Sequence, residues 1–174
     1  MNIKTLALTA LLIAAFIVAC GIATGTFTIV YEIDDTISST QADLQYEAVD
    51  LNTIEDYQEH QDLIQSVDHI AIVGTVLNYG NTPVSGEVWL AYTDTLDTPA
   101  EVRSVGTRVF VSPVIPPGGS LEIDWQDGLS YIENFSEIQD AVELGQFVIY
   151  GLGDSQFFYV VMDIDIIVTL TAGY

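Results

Sequence analysis

Acidic side chains supply most of the potential chemistry in this sequence. Asp34 and Asp35 stand together, Asp94 and Asp97 share a short segment, Asp124 and Asp127 precede Gly128, and Asp163 and Asp165 alternate within an apolar run. Calcium takes about six to eight hard oxygen ligands and accepts carboxylates from loops and strand ends. Asp34, Asp35, Asp163 and Asp165 are therefore the candidate ligands for a calcium ion. Two acids on a long apolar strand require water or a cation, which singles out Asp163 and Asp165. No EF-hand loop occurs, and a solvated acidic surface explains the same residues more simply. His60 and His69 match no zinc-ligand spacing. There is no Gly-x-Ser-x-Gly elbow, phosphate-binding loop or His-Glu-x-x-His pattern. Gly151-Leu152-Gly153 reads as a hairpin turn, because no helix start follows it. Trp89, Tyr92 and Trp125 would make a stacking platform for a sugar or a patch for a protein, although core packing is their plainer role. The expectation is a protein that binds and does not catalyse.

The elements that position these residues are mostly strands. Residues 26–37 alternate Phe27, Ile29, Tyr31 and Ile33 with Thr28, Val30, Glu32 and Asp34, and 43–51 carry Leu44, Tyr46 and Ala48 at the same period, as a second strand or an extended arm. Residues 69–79 are nearly continuous apolar, as in a central strand covered on both faces. Strands are also predicted over 86–92, 107–115, 121–125, 147–152 and 157–170, punctuated by Gly80-Asn81-Thr82-Pro83 and Pro116-Pro117-Gly118-Gly119. The 86–92 strand is expected as the hairpin partner of 69–79.

Two helices interrupt the set. The first carries Ile54, Tyr57, Ile64 and Val67 at helical spacing behind Asn52 or Thr53. The second spans 128–144, with capping-box patterns at Ser130 and Ser136 and Gly145 placed to end it. Both are expected to cover an end or edge of a sheet.

The N-terminus is of another kind. Lys4 is followed by an uncharged run and then by Ile17-Val18-Ala19-Cys20, whose thiol is the only one in the chain. This layout resembles bacterial lipoprotein signal peptides, whose lipobox these four residues match at every place. The resemblance implies cleavage before Cys20 and a diacylglycerol on its sulfur, with residues 1–19 as signal, 20–25 as lipidated tether and 26–174 as one domain. It implies a protein lipid-anchored to a membrane of the cell envelope and facing the periplasm or exterior. An uncleaved transmembrane helix over residues 5–22 and an ordinary signal peptide are the alternatives.

Regular strands with Pro and Gly punctuation predict a mostly β fold, an antiparallel β-sandwich with two short helical insertions. Residues 76–88 (VLNYGNTPVSGEV) and 115–123 (IPPGGSLEI) resemble the hairpin and the later turn of CARDB-like, immunoglobulin-type bacterial surface domains. That resemblance covers about residues 69–125 and implies an immunoglobulin-like sandwich used for adhesion or spacing.

Composition narrows the partners. The part from Cys20 onward has 155 residues, all 25 acidic residues and only Arg103 and Arg108 as basic ones, for a net −23. Such a field repels nucleic acid and anionic headgroups, so attachment to a membrane falls to the lipid. At 49% hydrophobic residues the chain can bury enough surface to fold. No cofactor is expected beyond a calcium ion. The expected role is binding or scaffolding of an envelope protein or polymer. A structural accessory subunit of an envelope complex and a carboxylate-based hydrolase are the alternatives.

Overall fold

The structure is a computed structural model that describes residues 24–39, 44–153 and 158–173. Cys20 lies outside these residues. The described residues form eight strands: β1 (Thr24–Ser39), β2 (Leu44–Asp50), β3 (Ile64–Asn78), β4 (Gly86–Ala91), β5 (Thr107–Val111), β6 (Ser120–Ile123), β7 (Gln146–Gly153) and β8 (Phe158–Gly173). They form two antiparallel sheets of four, β1-β8-β3-β6 and β2-β7-β4-β5, so the expected β-sandwich is the observed class. Successive strands alternate between the sheets, and only β4 and β5 are chain neighbours that pair. An immunoglobulin-type sandwich pairs its first two strands within one sheet. Eight strands ordered as here follow the double Greek key of a jelly roll.

This order corrects two local expectations. β4 pairs with β7 and β5, not with β3. Gly151-Leu152-Gly153 lies inside β7, where Gly151 faces Gln45 and Gly153 faces Gly86. The Gly80 to Pro83 turn does reverse the chain, but buried Asn78 ties it across the sandwich. The Asn78 amide donates to the carbonyls of Thr82 (2.9 Å), Ile115 (3.1 Å) and Pro116 (3.2 Å), and its oxygen accepts from the Gly80 N–H (2.8 Å). A side chain with every polar atom satisfied is a favourable thing to bury, and this one hands the chain to the facing sheet.

Four short α-helices occur among the described residues: α1 (Glu55–His60), α2 (Pro99–Val105), α3 (Trp125–Tyr131) and α4 (Phe135–Leu144). Ile64 and Val67 belong to β3, not to the first helix. Irregularities at Ile64/Ser66 and Val67/His69 break the strand's alternation there, which leaves a spacing that imitates a helix. The second expected helix is two, split at residues 132–134, where Ile132 bridges to Phe110 and Asn134 takes a left-handed φ of 49°. Ser130 and Ser136 are not the caps. The Asp124 carboxylate caps α3 by accepting from the N–H groups of Gln126 and Asp127, each at 2.8 Å. Gly145 ends α4 with φ 75°, as expected. α2 was not expected; Thr98 and Glu101 close a capping box around Pro99.

The helices do cover an edge. β6 pairs with β3 only along Gly74 to Leu77, which leaves the rest of that β3 edge open. There α3 sets Gly128 directly against the Ile72 backbone, where any side chain would collide. Gln139 of α4 donates to the Val67 carbonyl at 2.8 Å. At the end of the sandwich where Thr24 enters, Tyr57, Ile138 and Val142 from α1 and α4 fill the space between the sheets with Val67, Ile70 and Leu170. No helix among the described residues is long and apolar enough to cross a membrane.

Candidate functional site

Toward the opposite end the two sheets enclose a cavity of about 420 Å³. Close-packed interiors leave few voids larger than a water, whose share of liquid volume is about 30 Å³. The walls are side chains on the inward faces of both sheets, chiefly Ile72, Val76, Phe110, Val160, Met162 and Ile164. They belong to a second apolar cluster, separate in composition from the one filled by Tyr57. Phe110, braced edge to face by Tyr131, is the largest of the buried side chains in this cluster.

The mouth lies between the edge strands β1 and β2. Glu32, Gln45, Tyr46 and Glu47 are the exposed members of the described lining, and all four sit on these strands. Leu44, Tyr46 and Ala48, expected as the half-buried face of β2, instead point away from the opposite sheet. Tyr46 and Ala48 are exposed, and the Tyr46 ring meets Tyr150 at 5.8 Å. The other face of β2 carries Gln45 and Glu47 and then buried Val49. Polar residues thus stand where a closed sandwich would have apolar ones. Across the gap the Tyr31 hydroxyl donates to Glu47 Oε1 at 2.8 Å, a latch between the sheets. Burial, aided by that bond and by the charge on Glu47, pushes the Tyr31 hydroxyl up to about 12, so it remains a donor.

A polar cluster lies on the outer side of the second sheet. Glu87 on β4 accepts from the Trp89 indole (3.0 Å), Arg108 (3.1 Å) and Arg103 (3.4 Å), and Arg108 also pairs with Glu133 at 3.0 Å. Both arginines of the chain are therefore spent on two carboxylates that clamp α2, β4, β5 and the α3–α4 link. Burial alone would raise the Glu87 carboxyl; the bonds from Trp89 and Arg108 and the charge of Arg103 outweigh it and hold the group below the usual carboxylate range. Beside this clamp, Ala91, Val148, Tyr150 and Leu152 form a small outer core under Val102 of α2.

The sequence candidates are only partly brought together. The β1–β8 ladder sets Glu32 opposite Asp165 and Asp34 opposite Asp163, while Asp35 stands opposite Met162. Asp163 is exposed and Asp165 half-buried. Among the described residues, no three His, Cys, Asp or Glu side chains converge as a metal site. Trp89 is engaged by Glu87, exposed Tyr92 follows β4 beside the acids of α4, and Trp125 opens α3 over the other sheet, so they share no platform. His60 stacks on Phe27 at 4.6 Å, and His69 is exposed on β3. The cavity itself went unpredicted. Its one sequence signal was Gln45 and Glu47 alternating up to Val49 on an edge strand.

No family model matches this chain, and no curated protein does. Among solved structures, a chain of Desmodium yellow mottle tymovirus aligns with a TM-score of 0.34 and 13% identity, over 86% of this chain and 90% of its own. A chain of turnip yellow mosaic virus gives 0.38 and 8%, over 87% and 83%. The overlap is too low to carry anything over to this chain.

Proposed function

We propose that this chain is a non-catalytic binding module of the cell envelope, tethered by a lipid on Cys20, whose inter-sheet cavity takes up a small apolar molecule. The cavity carries this reading. At about 420 Å³ it falls within the roughly 300–1,000 Å³ typical of ligand pockets, and its inner walls are predominantly apolar. The carboxylates with shifted acidity, Asp50, Asp68 and Glu87, are all held on the strong-acid side by their hydrogen bonds, against burial. None of them is poised as a general acid, which supports binding over catalysis. The lipobox match of residues 17–20 supports the tether.

Uptake of an uncharged solvatochromic dye by the full chain in nanodiscs tests the cavity. Blue-shifted, saturable emission that is lost in Val160→Phe is expected; emission unchanged by that substitution would overturn the site. Mass analysis with labelled lipid, beside Cys20→Ser, tests the tether, and an unlipidated wild type would remove it.

A second reading, a structural accessory subunit, draws on the long β1 strand. Among the described residues Thr24–Ser39 pairs only with β8, and its other edge can serve as a template for another chain. Concentration-dependent assembly that is blocked by Val30→Pro would favour it.

A further inference from the structure

We propose that the cavity is built for a single-chain amphiphile whose headgroup donates hydrogen bonds and carries no negative charge, an inference that rests on the cavity being the binding site. The inner surface dictates an apolar tail. No buried side-chain nitrogen or oxygen among the described residues lacks a partner. Even Ser112, at the inner end, is used: its hydroxyl accepts from the Gly86 N–H at 2.8 Å and donates to the Pro113 carbonyl at 3.1 Å. A polar atom carried inside would find nothing to bond and would bear its full desolvation cost. Volume dictates one chain. The cavity lies near the small end of the range for ligand pockets, and two sheets about 10 Å apart leave a slot one chain thick.

The mouth dictates the head. Its exposed inward side chains offer the carboxylate of Glu47 and the amide of Gln45, with Tyr31 already donating to Glu47. A carboxylate or phosphate head needs guanidinium groups or clustered N–H donors. The chain's two arginines are held by Glu87 and Glu133 on the outside of the other sheet, and the net charge is −22. An amine or hydroxyl head instead meets acceptors, and an ammonium gains from the Glu47 carboxylate.

Native mass spectrometry of the full chain ejected from nanodiscs, after incubation with dodecylamine, dodecanol or dodecanoate, reads this selection at constant tail length. Amine and alcohol adducts are expected, with dodecanoate weaker than the amine by at least about tenfold, a gap of about 1.4 kcal/mol. Each added methylene in the amine series tightens binding by about fourfold until the cavity is full. Glu47→Gln narrows the amine-to-dodecanoate gap by about fivefold. Val160→Phe removes all adducts, and Ile164→Phe serves the same purpose should the first variant melt early. Equal binding of the three probes, all lost on filling the cavity, would overturn the headgroup inference while leaving the binding site intact. Adducts that survive both filling substitutions, or no adducts at all, would overturn both.

Discussion

The two ends of this sandwich are walled by the same long strands and filled by opposite means. Near Thr24 the chain leaves β2 and enters β7 through helical insertions, and these drive Tyr57, Ile138 and Val142 between the sheets. Tyr57 is 1% exposed, and its hydroxyl donates to the Val142 carbonyl at 2.7 Å. At the far end the described connections, such as the Gly80 to Pro83 turn held by Asn78, insert only Val84 and Ile115 and no helix. Strands space the sheets by a fixed distance, so whatever the connections fail to supply remains empty. The edge residues follow the same division, with Val49 sealing β2 at the filled end and Gln45 and Glu47 leaving it open at the hollow one.

Truncation separates the halves most strongly. Tyr57→Ala should cost about 3–5 kcal/mol in chemical denaturation, as for a large buried side chain. Met162→Ala, at a half-buried side chain, should cost about 2 kcal/mol, the low end for methionine. Equal losses would mean that the two halves are packed alike. Enlargement reverses the pattern. Ala141→Leu in the filled half should cost about 1–3 kcal/mol by overpacking. Val160→Phe in the hollow half should leave the melting temperature unchanged or raise it.

Acid acts through the clamp outside the hollow half. Glu87 titrates below the usual carboxylate range when folded, so its stabilisation is complete above the unfolded value. It is lost as the pH falls through the lower folded value. Glu87→Gln should flatten that part of the acid-unfolding profile, and an unchanged profile would remove the clamp from the account. The smallest effect belongs to the acidic ladder on the outer face. Like charges directly opposite are destabilising, so Asp163→Asn should raise stability by about 0.2–1 kcal/mol at low ionic strength. The gain should fade in molar salt, where screening shrinks to about 3 Å. A variant less stable at low salt would instead mark Asp163 as a ligand or partner.

All eight strands were legible, because inward residues such as Ile29 and Val168 alternate with outward ones and Gly and Pro mark the ends. The role of the helices as edge cover and the stop at Gly145 were legible too. Strand order was not, since alternation fixes which face is buried but not which sheet a strand joins. That choice rests on contacts such as Asn78 with Ile115, far apart in sequence. The helix at Pro99 was readable from Thr98, Pro99 and Glu101 and was missed amid loop-like neighbours. Of the site, only polar Gln45 and Glu47 on an alternating strand hinted at an open edge. A cavity is set by what the connections leave out, and no local pattern records an omission. The candidate aromatics failed for the converse reason: Trp89 is claimed by Glu87, a partner visible only once β4, β5 and α2 are assembled.

Methyl-resolved NMR of the full chain in nanodiscs, titrated with dodecylamine, tests the hollow half as the binding site most directly. The methyl signals of Ile72, Met162 and Ile164 should shift together and saturate, while those of Ile138, Val142 and Leu170 stay in place. Shifts centred on the filled half, or spread over the outer faces with no saturation, would contradict it.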